Sequence, residues 1–492
     1  MSASWLFTIL LALPAAGAAA SLLLPTRRAV LWTVGAGVAV HAVVAVSAAR
    51  CVLAAGPVFS PGEWFFIDAL SAWHLLVMMI VFVLTSFYAM IYFRGELESG
   101  ALSLRLARRF GALWFGALGA MTLVMISNNL GILWVGIEAT TLLTAFLICL
   151  HRSPASLEAM WKYLIICSVG VAFAFMGTLF VAASAGRSLS PANALLWTRL
   201  FDAAPGLDRV MLEVGFIFLL VGYGTKAGLA PMHTWLPDAH SQAPSPVSAL
   251  FSGFLLSSAL YCVLRYVPLV ERATGYSGWA PRLLVILGLI SILIAAAFII
   301  FQRDVKRFLA YSSVEHIGII TLGFGLGGLG AFAALFHTLN HSLAKTLAFF
   351  SAGRLGQVYG THDMSRISGA LKAAPVWGVG LFGSLLALIG VAPFAIFMSE
   401  FQTAKAAVDD GAYVPLALFL LGCGVVFIGA LRHVVVMVWG EPSPETRPEG
   451  ACGCEWLLML VPLALLLVLG VWMPRGMFDA LSQAAAIVGG QP

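Results

Sequence analysis

The sequence predicts an all-α polytopic membrane protein of about fourteen transmembrane helices, built on two inverted five-helix repeats with broken helices at spans seven and twelve. Three observations carry this prediction. Of the 492 residues, 61% are apolar and 10% charged, where a soluble chain carries about 25% charge. Fourteen apolar runs are long enough to cross a bilayer, which takes roughly 20 helical residues. Three short sequence echoes recur in the same order at a separation of five spans.

The runs cover residues 3–24, 29–54, 66–93, 110–127, 129–150, 160–184, 211–229, 243–269, 281–301, 308–327, 329–355, 374–397, 412–438 and 457–474. The first, WLFTILLALPAAGAAA, ends in small residues as signal peptides do, but it lacks a basic leading segment and thirteen runs follow it. It is therefore expected to be a retained span. Loops after odd-numbered spans, counted with the span ends that border them, hold 15 of the 27 lysines and arginines, among them Arg27, Arg28, Arg105, Arg108, Arg109, Arg303 and Arg447. Positive loops stay in the cytoplasm, which places both termini outside the inner (plasma) membrane of a bacterial cell. The net charge of +5 fits that loop bias and gives no nucleic-acid footprint.

The echoes set the expected organisation. Lys162 to Gly170 and Lys345 to Gly353 both read K-x-L-x-x-x-S-x-G. One span later, Gly228-Leu-Ala-Pro231 is echoed by Gly390-Val-Ala-Pro393, and one span earlier Gly136-Ile-Glu138 is answered by Ser313-Val-Glu315. An odd offset turns one copy upside down relative to the other, the inverted repeat of secondary transporters. The expected units are flanking helices in 1–109, a first repeat in 110–269, its inverted partner in 281–438, and a loop with a last helix in 439–492.

Ionisable residues at membrane depth are costly and usually functional. Lys226 closes an apolar run just before Gly228-Leu-Ala-Pro231, where proline removes a backbone donor and frees carbonyls for ions and water. Glu400 follows the second break in the same way. Glu138 has no basic residue within two turns of its own helix, so Lys162 on the next span is its expected partner, with Glu158 as a competitor. His337, His341 and Lys345 stand at i, i+4 and i+8, each about 40° round the helix from the last. With Asn340 they form a polar stripe suited to proton relay. Glu315 and His316 join the set. His233, Asp238 and His240 follow the first break and are expected at its cytoplasmic mouth, as loop caps or proton ports. Asp68, at the start of span three, is expected to be structural.

Metal binding is not expected. HTLNH lacks the glutamate of the zincin motif, and Lys345 would repel a cation one turn away. The seven cysteines lie mostly in apolar runs, and Cys452-Gly-Cys454 is spaced too tightly for a zinc knuckle. No phosphate loop, dinucleotide fingerprint, cluster framework or haem ligand pair is present. No cofactor and no catalytic or redox site are expected in this chain.

The stretches WVGIEATTLLTAF, KAGLAPMHTWLPDAHSQAPSPVSALFSG, DVKRFLAYSSVEHIGI and HTLNHSLAKTLAFFSAG resemble the proton-translocating, antiporter-like membrane subunits shared by respiratory complex I, Mrp-type cation antiporters and membrane-bound hydrogenases. The resemblance runs from about span three to span thirteen and is nearest to the component F branch of hydrogenase-4. Glu315 is the discriminating feature. The resemblance implies that Glu138 and Lys226 belong to the input half-channel, that Lys345 is the central lysine, and that Glu400 ends the output side. Where the family often has a lysine or histidine on helix eight, this chain has LFSGFLLSSALY, with Ser252 and Ser257 at the corresponding places. The expected function is proton translocation within a hydrogenase-4 or formate hydrogenlyase-type complex, with other membrane subunits, a soluble hydrogenase-like module and lipid as partners. The alternative is an ion-coupled transporter subunit, such as a sodium/proton antiporter or an inorganic-carbon uptake component.

Overall fold

The computed structural model describes residues 3–442 and 450–490; Arg447, counted above among the loop charges, lies outside them. Helices α1 (Ala3–Leu23), α2 (Arg27–Ala55), α3 (Ala69–Tyr92), α4 (Leu104–Ile126), α5 (Leu130–Ile148) and α6 (Pro154–Ser184) occupy the first six apolar runs. They are followed by α7 (Arg209–Ala227) and α8 (Trp235–Gln242), the two sides of the first break, and by α9 (Ser245–Ala273). The remainder is α10 (Trp279–Ile299), α11 (Val305–Leu326), α12 (Gly328–Tyr359), α13 (Pro375–Leu388), α14 (Ala395–Asp409), α15 (Tyr413–Val438), α16 (Gly453–Val471) and α17 (Arg475–Val488).

Polar residues at the edges of the apolar runs start these helices. Asn129 accepts from Gly131 and Ile132 N–H at the head of α5, and Asp304 accepts from Lys306 and Arg307 N–H at the head of α11. Ser153 and Ser156 form a capping box at α6, with Pro154 at its first position.

Among the described residues, twelve helices or helix pairs are long and apolar enough to cross a membrane. The expected eleventh and twelfth spans differ from these. The eleventh is α12, 32 residues long but interrupted by its polar stripe, and the twelfth is the 14-residue α13, which breaks before α14. Two features lay outside the sequence reading. A two-stranded hairpin pairs Val58–Phe59 with Phe66–Ile67 ahead of α3. The short amphipathic α17 buries Ala480, Leu481, Ala484 and Ile487 against α3 and α12.

Small residues let backbones meet, as membrane packing favours. A Cβ built on Gly177 of α6 would lie 2.6 Å from the Gly215 carbonyl of α7, and one on Gly288 of α10 would lie 2.7 Å from that of Gly318 on α11. Asp68 caps α3 and is locked by Arg265 of α9. Its two carboxylate oxygens accept from Arg265 Nη1 at 2.5 Å and Nη2 at 2.7 Å. Ser71 and the Tyr261 hydroxyl take up further guanidinium donors, and the Phe66, Trp197 and Tyr261 rings surround the cation. Each guanidinium nitrogen has an acceptor and the charge has its counter-charge, so the pair is structural, as its position at the head of α3 suggested.

Candidate functional site

Both breaks use one backbone pattern. At the first, Gly228 takes the left-handed region (φ 79°), its N–H donates to Thr225 O, Leu229 N–H donates to Gly224 O, and Met232 N–H donates to Leu229 O. At the second, Gly390 (φ 69°) donates to Ala387 O, Val391 to Leu386 O, and Phe394 to Val391 O. This is the glycine-terminated end that closes an α-helix without straining a Cβ, and proline stops the helix from resuming at once.

Lys226, on the last turn before the first break, is fully buried. Its Nζ donates to Thr141 Oγ1 at 3.0 Å and to the Tyr163 hydroxyl, and it lies 4.5 Å from the centre of the Tyr163 ring. Tyr163 and Thr144 share a further hydrogen bond of 2.7 Å. Glu138 is half-buried; its Oε1 accepts from Ser168 at 3.0 Å and its Oε2 has no partner among the described residues. The Glu138 carboxylate and the Lys226 ammonium are within electrostatic reach without touching.

The expected Glu138–Lys162 pair does not form. Lys162 is exposed and binds Glu158 at 2.7 Å and Asp238 at 3.0 Å, and Arg307 binds the other Asp238 oxygen at 2.8 Å. The reason is rotational, since adjacent helix residues point about 100° apart. Tyr163 takes the inward position on α6 and Lys162 the outward one. The echo between Lys162 and Lys345 therefore joins two lysines in unlike surroundings. Ser351, the counterpart of Ser168, bonds the Leu347 carbonyl and not Glu315.

Around α12 the polar stripe is continuous. Lys345 is fully buried and donates to the Leu309 carbonyl at 2.8 Å. The same carbonyl accepts from Ser313, whose hydroxyl meets that of Ser252 at 2.7 Å. Ser252 lies in a π-helical turn, Phe251–Leu255, inside α9. Widening the turn displaces its carbonyls from their α-helical partners, and α12 uses them: His341 Nε2 reaches Ser252 O at 3.2 Å and Ser342 donates to Gly253 O at 2.5 Å. Ser252 thus ties helix eight to α11 through its hydroxyl and to α12 through its carbonyl, while the Ser257 hydroxyl has no partner among the described residues.

His316 Nδ1 and His337 Nε2 share a 2.9 Å hydrogen bond, and His337 Nδ1 lies 2.9 Å from Ser399 Oγ. The Ser399 hydroxyl donates to Ile396 O at 2.9 Å, so neutral His337 donates from Nδ1 and accepts at Nε2, and His316 donates from Nδ1. A proton received at His316 Nε2 can therefore be handed on through His337 toward α14. The His341 ring is tilted against that of His316, with ring centres 5.0 Å apart. Glu315 is buried, its Oε2 has no partner among the described residues, and it lies in electrostatic reach of Lys345 and Glu400. Glu400 folds back onto the second break, where a Cβ on Gly390 would lie 2.2 Å from its Oε2. Asn340 holds the Ala395 carbonyl there at 3.0 Å.

Between the Lys226 and Lys345 groups stands an aromatic layer. Trp235 and Phe251 pack on Tyr163, and His240 stacks on Phe349 at 5.0 Å. His240 is fully buried, with no partner for either ring nitrogen among the described residues, so it lies inside this layer rather than at a mouth. His233 is buried beside Tyr311, with ring centres 6.0 Å apart. Thr141, Thr144, Tyr163 and Ser399 were missed from sequence; only the polar run Thr140-Thr141 and Thr144 on α5, at helical spacing beside Glu138, signalled any of them.

A helical bundle of this kind, with two glycine-ended breaks and buried lysines joined to hydroxyls and imidazoles, defines a polytopic membrane protein of the ion-handling class. The NADH:quinone oxidoreductase/Mrp antiporter transmembrane family matches residues 127–427, and the chain belongs to that family. It is 40% identical over 418 residues to a hydrogenase-4 component F homolog of Methylacidiphilum infernorum, covering 84% of this chain and 86% of that one. It is 30% identical to hydrogenase-4 component B of Escherichia coli, over 72% of this chain and 52% of that longer protein. Its fold matches a chain of the archaeal membrane-bound sulfane sulfur reductase with a TM-score of 0.86 at 24% identity, covering 98% of this chain and 97% of that one. A chain of the Mrp complex from Dietzia sp. DQ12-45-1b gives 0.84 at 19% identity, over 99% and 98%.

Proposed function

We propose that this protein is the proton-translocating membrane subunit of a multi-subunit complex of the hydrogenase-4 or complex I type, coupled to a peripheral redox module. The observation that carries this reading is the directed His316–His337–Ser399 relay, set beside a buried polar cluster in which Lys345 and Ser313 share the Leu309 carbonyl, the Ser313 and Ser252 hydroxyls meet, and His341 reaches the Ser252 carbonyl. Imidazoles and hydroxyls that both donate and accept suit a proton; a sodium ion is better served by a cage of oxygens. Protons enter beside Lys226, pass the His240 layer to Lys345, and leave past Glu315 and Glu400. Glu138 sets the charge balance at Lys226, His233 lies beside the inlet, and Lys162 anchors α6 to Asp238 and Glu158 instead of pairing with Glu138.

The common pattern at the two breaks supports a division into flanking helices (1–109), two inverted units (110–269 and 281–438) and a last segment (439–492). Loop charge supports placing both termini outside a bacterial inner membrane. The test is proton uptake by the intact complex in sodium-free vesicles. Uptake persists without sodium and falls to background in Glu138→Gln with assembly unchanged. A strict sodium requirement, or normal uptake by that variant, contradicts the reading.

A further inference from the structure

A groove of about 620 Å³ opens where the end of α1 meets the start of α4, lined by Arg105, Arg108 and Arg109 over Leu22, Leu104 and Leu113. Its charge is unbalanced. Several basic side chains elsewhere meet acids, such as Arg94 with Glu98, Arg209 with Glu213, Arg307 with Asp238 and Lys405 with Asp409. Among the described residues no carboxylate forms an ion pair with any of the three groove arginines, and no acidic residue lines the groove.

Two of the three are nevertheless held in place. Arg108 Nε donates to Leu24 O at 3.0 Å, tying α4 to the end of α1, and Arg109 lies 5.4 Å from the Phe146 ring centre. Arg105 is exposed at the rim, and Arg27 is held nearby by Leu102 O at 3.1 Å. The apolar lining is mainly leucine, Leu22 on α1 with Leu104 and Leu113 on α4, two helices long and apolar enough to span a bilayer. Clustered guanidinium groups at the end of spanning helices, with an apolar wall running from them along the helices, match an ionised phosphate with acyl chains attached.

We propose that this groove is a binding site for the headgroup of an anionic phospholipid, its phosphate held by Arg105, Arg108 and Arg109 and its chains lying along Leu22 and Leu113. The site is separate from the proton path and does not depend on it. The charge complementarity favours lipid over a membrane partner subunit, whose apolar helix would leave three cations without counter-charge.

The test uses the intact complex in nanodiscs of dioleoylphosphatidylcholine doped with cardiolipin or dioleoylphosphatidylglycerol, with bound lipid read by native mass spectrometry. The wild type retains anionic lipid over phosphatidylcholine. Arg105→Gln/Arg109→Gln, which leaves the Arg108 anchor in place, weakens that retention about tenfold or more, as loss of two interfacial arginines requires. Arg303→Gln/Arg366→Gln removes the same formal charge elsewhere and leaves retention unchanged. Equal retention by both double variants, no anionic preference in the wild type, or displacement of the lipid by millimolar inorganic phosphate each overturns the proposal. So does finding the groove covered by another subunit of the complex.

Discussion

Lys345→Met is expected to lower proton translocation by about 10²-fold or more while leaving the complex assembled. A positioned proton donor contributes about 10²–10⁴-fold to transfer, and Lys345 lies fully buried in the polar cluster formed by the Leu309 carbonyl, Ser313, Ser252 and His341. Methionine has nearly the same length and fills the same space without titrating. The single protein hydrogen bond lost is to the Leu309 carbonyl, which keeps its bond from Ser313. Removing a fully buried ammonium also removes a desolvation cost, so the expected loss is functional and not structural. Proton uptake by vesicles containing the complex, normalised to subunit content, provides the check. Uptake within twofold of wild type would remove Lys345 from the path.

The opposite pattern is expected at Asp68 and Arg265. Asp68→Asn leaves the Arg265 guanidinium buried without its counter-charge, and breaking such a pair costs about 3–5 kcal/mol. The midpoint of thermal or chaotrope unfolding falls accordingly, while proton uptake per folded complex stays at the wild-type level. Replacing both partners, Asp68→Leu with Arg265→Met, recovers most of the loss, because no uncompensated charge remains. Wild-type stability in Asp68→Asn would show that the pair does not hold α3 to α9. Loss of uptake at full stability would place Asp68 in the transport machinery.

These two residues mark where the sequence is informative and where it is not. Apolar runs located the helices because a bilayer imposes length and hydropathy on a span, and the Gly-x-Ala-Pro echoes located both breaks because glycine and proline act locally. Residues 475–488 were missed because an amphipathic helix lying against the bundle needs no long apolar run. The charged members of the site were legible because charge in an apolar run is rare, but their partners were not. Lys162 and Tyr163 are neighbours in sequence, and only the rotation of α6 decides that the tyrosine faces Lys226 and the lysine faces Asp238. The π-turn at Phe251–Leu255 has no signature in LFSGFLL, yet it gives His341 and Ser342 their acceptors.

The central claim is that one path joins the buried lysine at the first break to the stripe on α12. Steady-state proton uptake by the intact complex carrying Lys226→Ala, in sodium-free vesicles and with assembly checked by co-purification of the other subunits, tests it most directly. Uptake is expected at the background of empty vesicles, because Thr141 and Tyr163 alone hold no exchangeable cation at the inlet. Uptake at the wild-type rate in a fully assembled Lys226→Ala complex would contradict it.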